Sequence, residues 1–276
     1  MSLWEIITRN GQRALEYAAH RLQLRLPTDP VPDEWHTILR RNVPLARPLS
    51  APDRDRLLQV ARLLLQEVPF EGCDGLVLND EMSVTIAATA SLLLYRLPYP
   101  RFTKLIRVLI YPHTFVPRKA ESGRDAMVVD SDPSLGQARI DGIVILSWEA
   151  IRKDAADSTA RGNVVLHEMA HILDAEDGVF DGTPIFDDPS QGPEWARVLS
   201  RDFDRQRTAV NSDENPPLDE YAARNTAEFF AVATEAFYCS PERLRTQLPD
   251  LYEQLRRLFR YDPNEPAEQS SRSDSV

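Results

Sequence analysis

Apolar residues recur at helical spacing through most of the chain and at strand spacing only near its middle. In residues 3–25, Leu3, Ile6, Ile7, Leu15 and Ala18 make an amphipathic pattern that predicts a helix, and Pro27, Pro30 and Pro32 end it. A short helix is expected over 33–41, followed by a proline-bearing link over 44–52. Residues 53–68 carry Leu57, Leu58, Val60, Ala61, Leu64 and Leu65 at helical spacing. Gly72 and Gly75 mark a turn, and Asn79 or Asp80 can cap a helix running to about residue 97. The period then changes. Segments 105–111, 126–129 and 140–147 are short and rich in Val and Ile, and predict strands of one small, at least partly antiparallel sheet. Beyond it come a helical turn over 149–155 and helices over 159–175, 194–209, 225–238 and 241–259, with an Asp-, Gly- and Pro-rich loop over 176–192.

The expected fold class is therefore α+β and mostly helical, with a small antiparallel sheet. Its segments are an N-terminal helical extension (1–31), a helical part (32–100) packed on a catalytic domain (101–262), and a polar, serine-rich tail (263–276) expected to be disordered.

Composition narrows the function. A net charge of −11 argues against nucleic acid as a main partner, because phosphate binding needs surplus Lys and Arg. Cys73 and Cys239 are far apart and form no CxxC pair, so neither a disulfide framework nor a cysteine zinc site is expected. The most apolar stretch, 86–95, falls short of the roughly 20 residues that span a bilayer and suits a buried helix. Residues 1–26 have no apolar core of signal-peptide type. The expected compartment is the cytoplasm, without membrane attachment.

One motif carries chemistry: His167-Glu168-Met169-Ala170-His171. Four helical residues advance about 400° and rise about 6 Å, so both imidazoles leave one face, a turn apart. That separation lets two neutral imidazoles bind one zinc ion. Glu168 then sits beside the metal without ligating it, where a general base for a water belongs. The flanking Val164, Val165, Leu166, Ile172 and Leu173 mark a segment built for burial, where two histidines and a glutamate need a compensating partner such as a metal. A catalytic zinc needs a third protein ligand and an open position. Position 177, six after His171, is Asp, so no third histidine falls at metzincin spacing. Glu228, followed by Phe229 and Phe230, begins a buried helix and can supply the third ligand. It can equally close a capping box with Asn225. The acidic loop after Asp174 fails the calcium-loop pattern, since Val179 stands where glycine is needed. His20, His36 and His113 have no ligand spacing.

The HExxH helix, the spacing of seven from Tyr221 to Glu228 and the string Glu228-Phe229-Phe230-Ala231 resemble the Mlc titration factor A family. Those are bacterial zinc peptidases similar to the catalytic core of anthrax lethal factor. Phe70-Glu71-Gly72-Cys73-Asp74-Gly75-Leu76, the stretch Asp80 to Ala88, Leu146-Ser147-Trp148 and His171-Ile172-Leu173-Asp174 extend the likeness over about residues 32–261. The resemblance implies a zincin-like domain holding one zinc on His167, His171 and Glu228. It further implies Glu168 as base, Tyr221 as the group that steadies the oxyanion or donates a proton, and aminopeptidase-like cleavage of peptide or protein substrates. A packing role for Tyr221 is the plain alternative. Asp174 shares nearly the same helix face as both histidines and could orient one of them; Asn225 and Glu235 are further candidates for such support. Thr226 stands where the family often has proline, and Val232 where lethal factor carries a second glutamate. The family name also implies a second role, sequestration of a glucose-regulated transcriptional repressor.

Overall fold

The computed structural model describes residues 26–27, 29–97, 102–114, 136–138, 142–157, 162–212 and 214–265, with backbone alone at 136–138. The helix expected over 3–25, the strand expected over 126–129 and nearly all of the polar tail lie outside these residues. Among the described residues, helices dominate a single small sheet.

Helices α1 (Asp33–Asn42), α2 (Ala51–Glu67) and α3 (Asp80–Ser91) form the first part. Each start has a local cause. Pro32 leads into α1. The Ser50 hydroxyl accepts from Asp53 N at α2, with Pro52 in its first turn. Asn79 accepts from Met82 N at α3. Val84, Ile86, Ala87, Ala88 and Ala90 are all buried, so α3 is covered on every side, as its continuous apolar run requires. The helix ends at Ser91, earlier than expected, and the chain continues in turns to Leu97.

The sheet has the order β1-β2-β4-β3, with β1 Phe70–Gly72, β2 Arg107–Tyr111, β3 Gly136–Ala138 and β4 Ile143–Ser147. Strand β2 pairs in parallel with both β1 and β4; β3 runs antiparallel to β4 at the edge. The expectation of an antiparallel sheet is thus corrected. Parallel neighbours need a crossover rather than a hairpin, and α3 supplies the one from β1 to β2. Strand β1 is three residues long and contains the glycine that reads as a turn, so the crossover was invisible in the pattern. Val108 and Ile110 face Val144 and Leu146 in register, and all four are fully buried. This alternation commits one sheet face to the core.

The remaining helices are α4 (Trp148–Ala156), α5 (Val164–Asp174), α6 (Gly192–Asn211), α7 (Thr226–Cys239), α8 (Pro241–Gln247) and α9 (Pro249–Phe259). Pro249 divides the single helix expected over 241–259 into two, because proline cannot donate the next backbone bond and sits at the start of α9. Helix α5 packs against α7. Around them Trp195, Phe229, Phe230, Phe237 and Phe259 fill an aromatic core, with Trp195 edge-on to Phe230 and Phe237 tilted against Phe259. No described helix is long and apolar enough to cross a membrane.

Candidate metal centre

Helix α5 carries the HExxH motif, and three side chains hold its first turn. Asn163 caps it, accepting from Leu166 N at 3.1 Å. A Glu235 carboxylate oxygen accepts from Asn163 N at 2.6 Å, and Asp154 accepts from Val164 N at 2.9 Å. Of the N–H groups at this helix start, Leu166 N is thereby satisfied by the cap itself, Val164 N from α4 and Asn163 N from α7. Both histidines consequently project at α7 from a fixed helix.

Glu228 lies in the first turn of α7. Its backbone N–H donates to Asn225 Oδ1 at 2.9 Å, so Asn225 is the cap. The Glu228 side chain instead reaches the two imidazoles. Its Oε2 lies 3.1 Å from His167 Nε2 and 3.3 Å from His171 Nε2, and the two nitrogens are 3.2 Å apart. The cap and the carboxylate therefore do not compete: the backbone of Glu228 takes one role and its side chain the other.

These three separations match the edge of about 3.3 Å expected between donors bound tetrahedrally at about 2.0–2.1 Å. His167, His171 and Glu228 form the potential metal-holding group of the described residues. Glu228 Oε2 is buried with no hydrogen-bond partner among them. A buried carboxylate oxygen facing two imidazole nitrogens is costly unless a cation or a proton fills the gap. Two nitrogens and one oxygen are donors that suit zinc, so the residues present fit the metal.

Charge follows the same geometry. Burial works to lower His167, but the neighbouring Glu235 carboxylate, bonded at Nδ1, and the approach of Glu228 outweigh it and hold the imidazole well above its ordinary range. Burial lowers His171. Burial also works to raise Glu228, yet the close approach of both imidazoles to its carboxylate pulls it well below the usual carboxylate range.

The surrounding residues divide into those brought to the site and those taken elsewhere. Glu235 Oε1 lies 2.7 Å from His167 Nδ1. Glu168 is buried beside His167 on α5. Tyr221 sits on a short 3-10 turn, Glu220–Ala223, which Asp219 pins by accepting from Tyr221 N. Its phenol donates to Glu228 Oε1 at 3.3 Å, and its ring lies 6.0 Å from that of His167. Burial and the nearby Glu228 charge push the phenol upward, so it stays protonated and able to donate at neutral pH. Asp174 is turned away from the histidines. Its oxygens accept from Thr183 N at 2.8 Å and Gly182 N at 3.0 Å, and burial pushes the carboxyl up to about 7. Gly182 must be glycine there: its φ is +80°, and a Cβ would lie 2.5 Å from Thr226 O. With Trp195 Nε1 donating to Gly182 O, the loop after α5 is tied to α6 and lies close against Thr226 at the start of α7.

Sequence reasoning passed over Asp154, Asn163 and Phe180. Asn163 had a readable signal, a capping residue directly before the apolar run Val164-Val165-Leu166. Phe180, whose ring lies 6.3 Å from that of His171, had none.

Residues 17–260 match the family model described as glucose-regulated metallo-peptidase M90. The chain is 32% identical over 239 residues to the uncharacterized protein slr2042 of Synechocystis sp., covering 85% of this chain and 86% of that protein. It is 34% identical over 236 residues to Mlc titration factor A of Yersinia pestis, covering 83% of this chain and 85% of that protein, and equally to that of Yersinia pseudotuberculosis. The arrangement of two histidines and a glutamate thus lies within a span that matches from near the start of the chain to the end of α9, and the chain belongs to the glucose-regulated metallo-peptidase M90 family.

Proposed function

We propose that this protein is a zinc-dependent peptidase, a glutamate-completed zincin acting in the cytoplasm with one metal per chain. The observation that carries this reading is the convergence of His167 Nε2, His171 Nε2 and Glu228 Oε2 at 3.1 to 3.3 Å. Three protein donors among the described residues leave a position open, as catalytic rather than structural zinc requires. Zinc held there supplies Lewis acidity, polarising a scissile carbonyl and acidifying a water. Glu168, next to His167 on the same helix, takes the proton of the attacking water and passes it to the leaving amine. Tyr221, kept protonated, donates a hydrogen bond to the oxygen on which negative charge develops. Asn225 holds the first turn of α7 and so the position of Glu228. Asp174 holds the loop that carries Phe180 beside His171. The substrate class is a peptide, cleaved in an aminopeptidase-like manner.

Glu168→Gln removes the base and keeps every metal donor. The variant should retain zinc at wild-type stoichiometry and lose peptide hydrolysis by at least a hundredfold. Full activity in that variant would exclude the mechanism.

A second reading is favoured by the relatives called Mlc titration factor A, whose name denotes titration of Mlc. By that reading the chain binds a transcriptional regulator and thereby sequesters it. Binding in a pull-down should survive Glu168→Gln, whereas a regulator that is only a substrate should not be retained by a catalytically competent wild type.

A further inference from the structure

Glu228 and Glu235 lie seven residues apart on α7, two turns along one face, and the imidazole of His167 stands between them. Glu228 faces Nε2 at 3.1 Å and Glu235 faces Nδ1 at 2.7 Å. A carboxylate on Nδ1 keeps the proton there and leaves the Nε2 lone pair for a metal. His171 has no equivalent support: its Nδ1 is buried without a hydrogen-bond partner among the described residues. The orientation of the ligand pair therefore leans on Glu235.

The other oxygen of Glu235 accepts from Asn163 N at 2.6 Å, directly beside Gly162. A Cβ placed on Gly162 would lie 2.6 Å from Glu235 Oε2 and 3.6 Å from its Cδ. Those two side-chain atoms are what it would meet among the described residues, and no left-handed backbone is involved. The crowding falls on the tip of a flexible side chain rather than on the backbone. A methyl group at 162 should thus leave the fold intact and displace the carboxylate from both Asn163 N and His167 Nδ1.

We propose that Gly162 and Glu235 act as one positioning unit that sets the metal affinity of the His167, His171 and Glu228 site through His167 Nδ1. The absence of a side chain at 162 makes room for the carboxylate; the carboxylate sets the ring. This rests on the reading of that site as a metal centre. Loss of such an outer partner costs about 10- to 100-fold in metal affinity.

The test is a double-mutant cycle on the full chain with Zn2+ as probe, its dissociation constant measured by competition with a chromogenic chelator. Gly162→Ala and Glu235→Ala should each weaken Zn2+ by about tenfold or more, and the double variant should match Glu235→Ala within about twofold, because no carboxylate remains to displace. The Co2+ absorption spectrum should shift in both single variants, reporting altered ligation by His167, while circular dichroism stays that of the wild type. Unchanged affinity in Gly162→Ala, or losses that multiply in the double variant, would overturn the unit. Should Glu235→Ala not fold, Gly162→Ala alone decides: its Zn2+ affinity and Co2+ spectrum either shift or do not. A wild type that binds no Zn2+ would instead sink the metal reading, so the two failures are distinguishable.

Discussion

Glu176 follows the helix that carries both histidines and is almost completely buried. Thr103 Oγ1 and Lys104 N both donate to its carboxyl, yet burial dominates and pushes it up to about 7 from an ordinary 4.5. Below pH 4.5 the group is protonated whether the chain is folded or not, and burial carries no ionisation penalty. Between 4.5 and about 7 the unfolded chain has released the proton and the folded chain has not. Stability therefore falls as pH rises through that window, by up to about 1.4 kcal/mol per pH unit, and the loss is complete above it. Asp174, also raised to about 7, adds a loss of the same sign. Glu176→Gln keeps the shape and removes the Glu176 titration. Thermal melts at pH 5 and pH 8 should show a smaller drop for the variant than for the wild type; identical drops would refute the argument. At this level the sequence named the candidate metal donors but left the role of Glu228 open. Its spacing from Asn225 suited a capping box and a ligand equally, and only the positions of two imidazoles from another helix separated backbone from side-chain roles. Asp174 shows the converse. Its helix face matched that of the histidines, but Gly182 N and Thr183 N take both of its oxygens.

Elements were legible where a long apolar period coincided with a local start signal. Asn79, Ser147 and Asn225 each cap a helix that begins within a residue or two of its expected place. Legibility failed where tertiary pairing decides. Strand β1 exists because Phe70, Glu71 and Gly72 find Val108, Leu109 and Ile110 beside them, and three residues have no periodicity to read. The cap on α7 has a measurable consequence. Asn225→Ala removes the 2.9 Å bond to Glu228 N and should cost about 1 kcal/mol. That corresponds to roughly 2–4 °C in a chain of this size. Because the lost bond belongs to the residue that also supplies the carboxylate donor, Zn2+ affinity should fall in the same variant, whereas Asn225→Asp should keep both. Chemical denaturation together with Zn2+ titration checks the pair, and a stability loss without any change in affinity would separate the cap from the site.

Across the whole molecule the candidate site joins α5 to α7, so bound metal stabilises the fold by linkage. At free metal near 100 times its dissociation constant the gain is about 2.7 kcal/mol, or roughly 5–10 °C here. Stripping the protein with a chelator should lower Tm by that order and leave one cooperative transition, since the core of Trp195, Phe229, Phe230, Phe237 and Phe259 does not depend on the ion. An unchanged Tm would count against metal at this site. The sequence alone determined the helix with two histidines on one face, the glutamate beside the first, and the later buried helix bearing Glu228. These are short-range facts, written in a period of 3.6 residues and a capping preference. Only the tertiary structure decided that the sheet is mainly parallel, that Asp174 serves a loop, and that Glu235 clasps His167 past a glycine. Each of those depends on atoms far apart in the chain arriving within hydrogen-bond distance, and no local period encodes that.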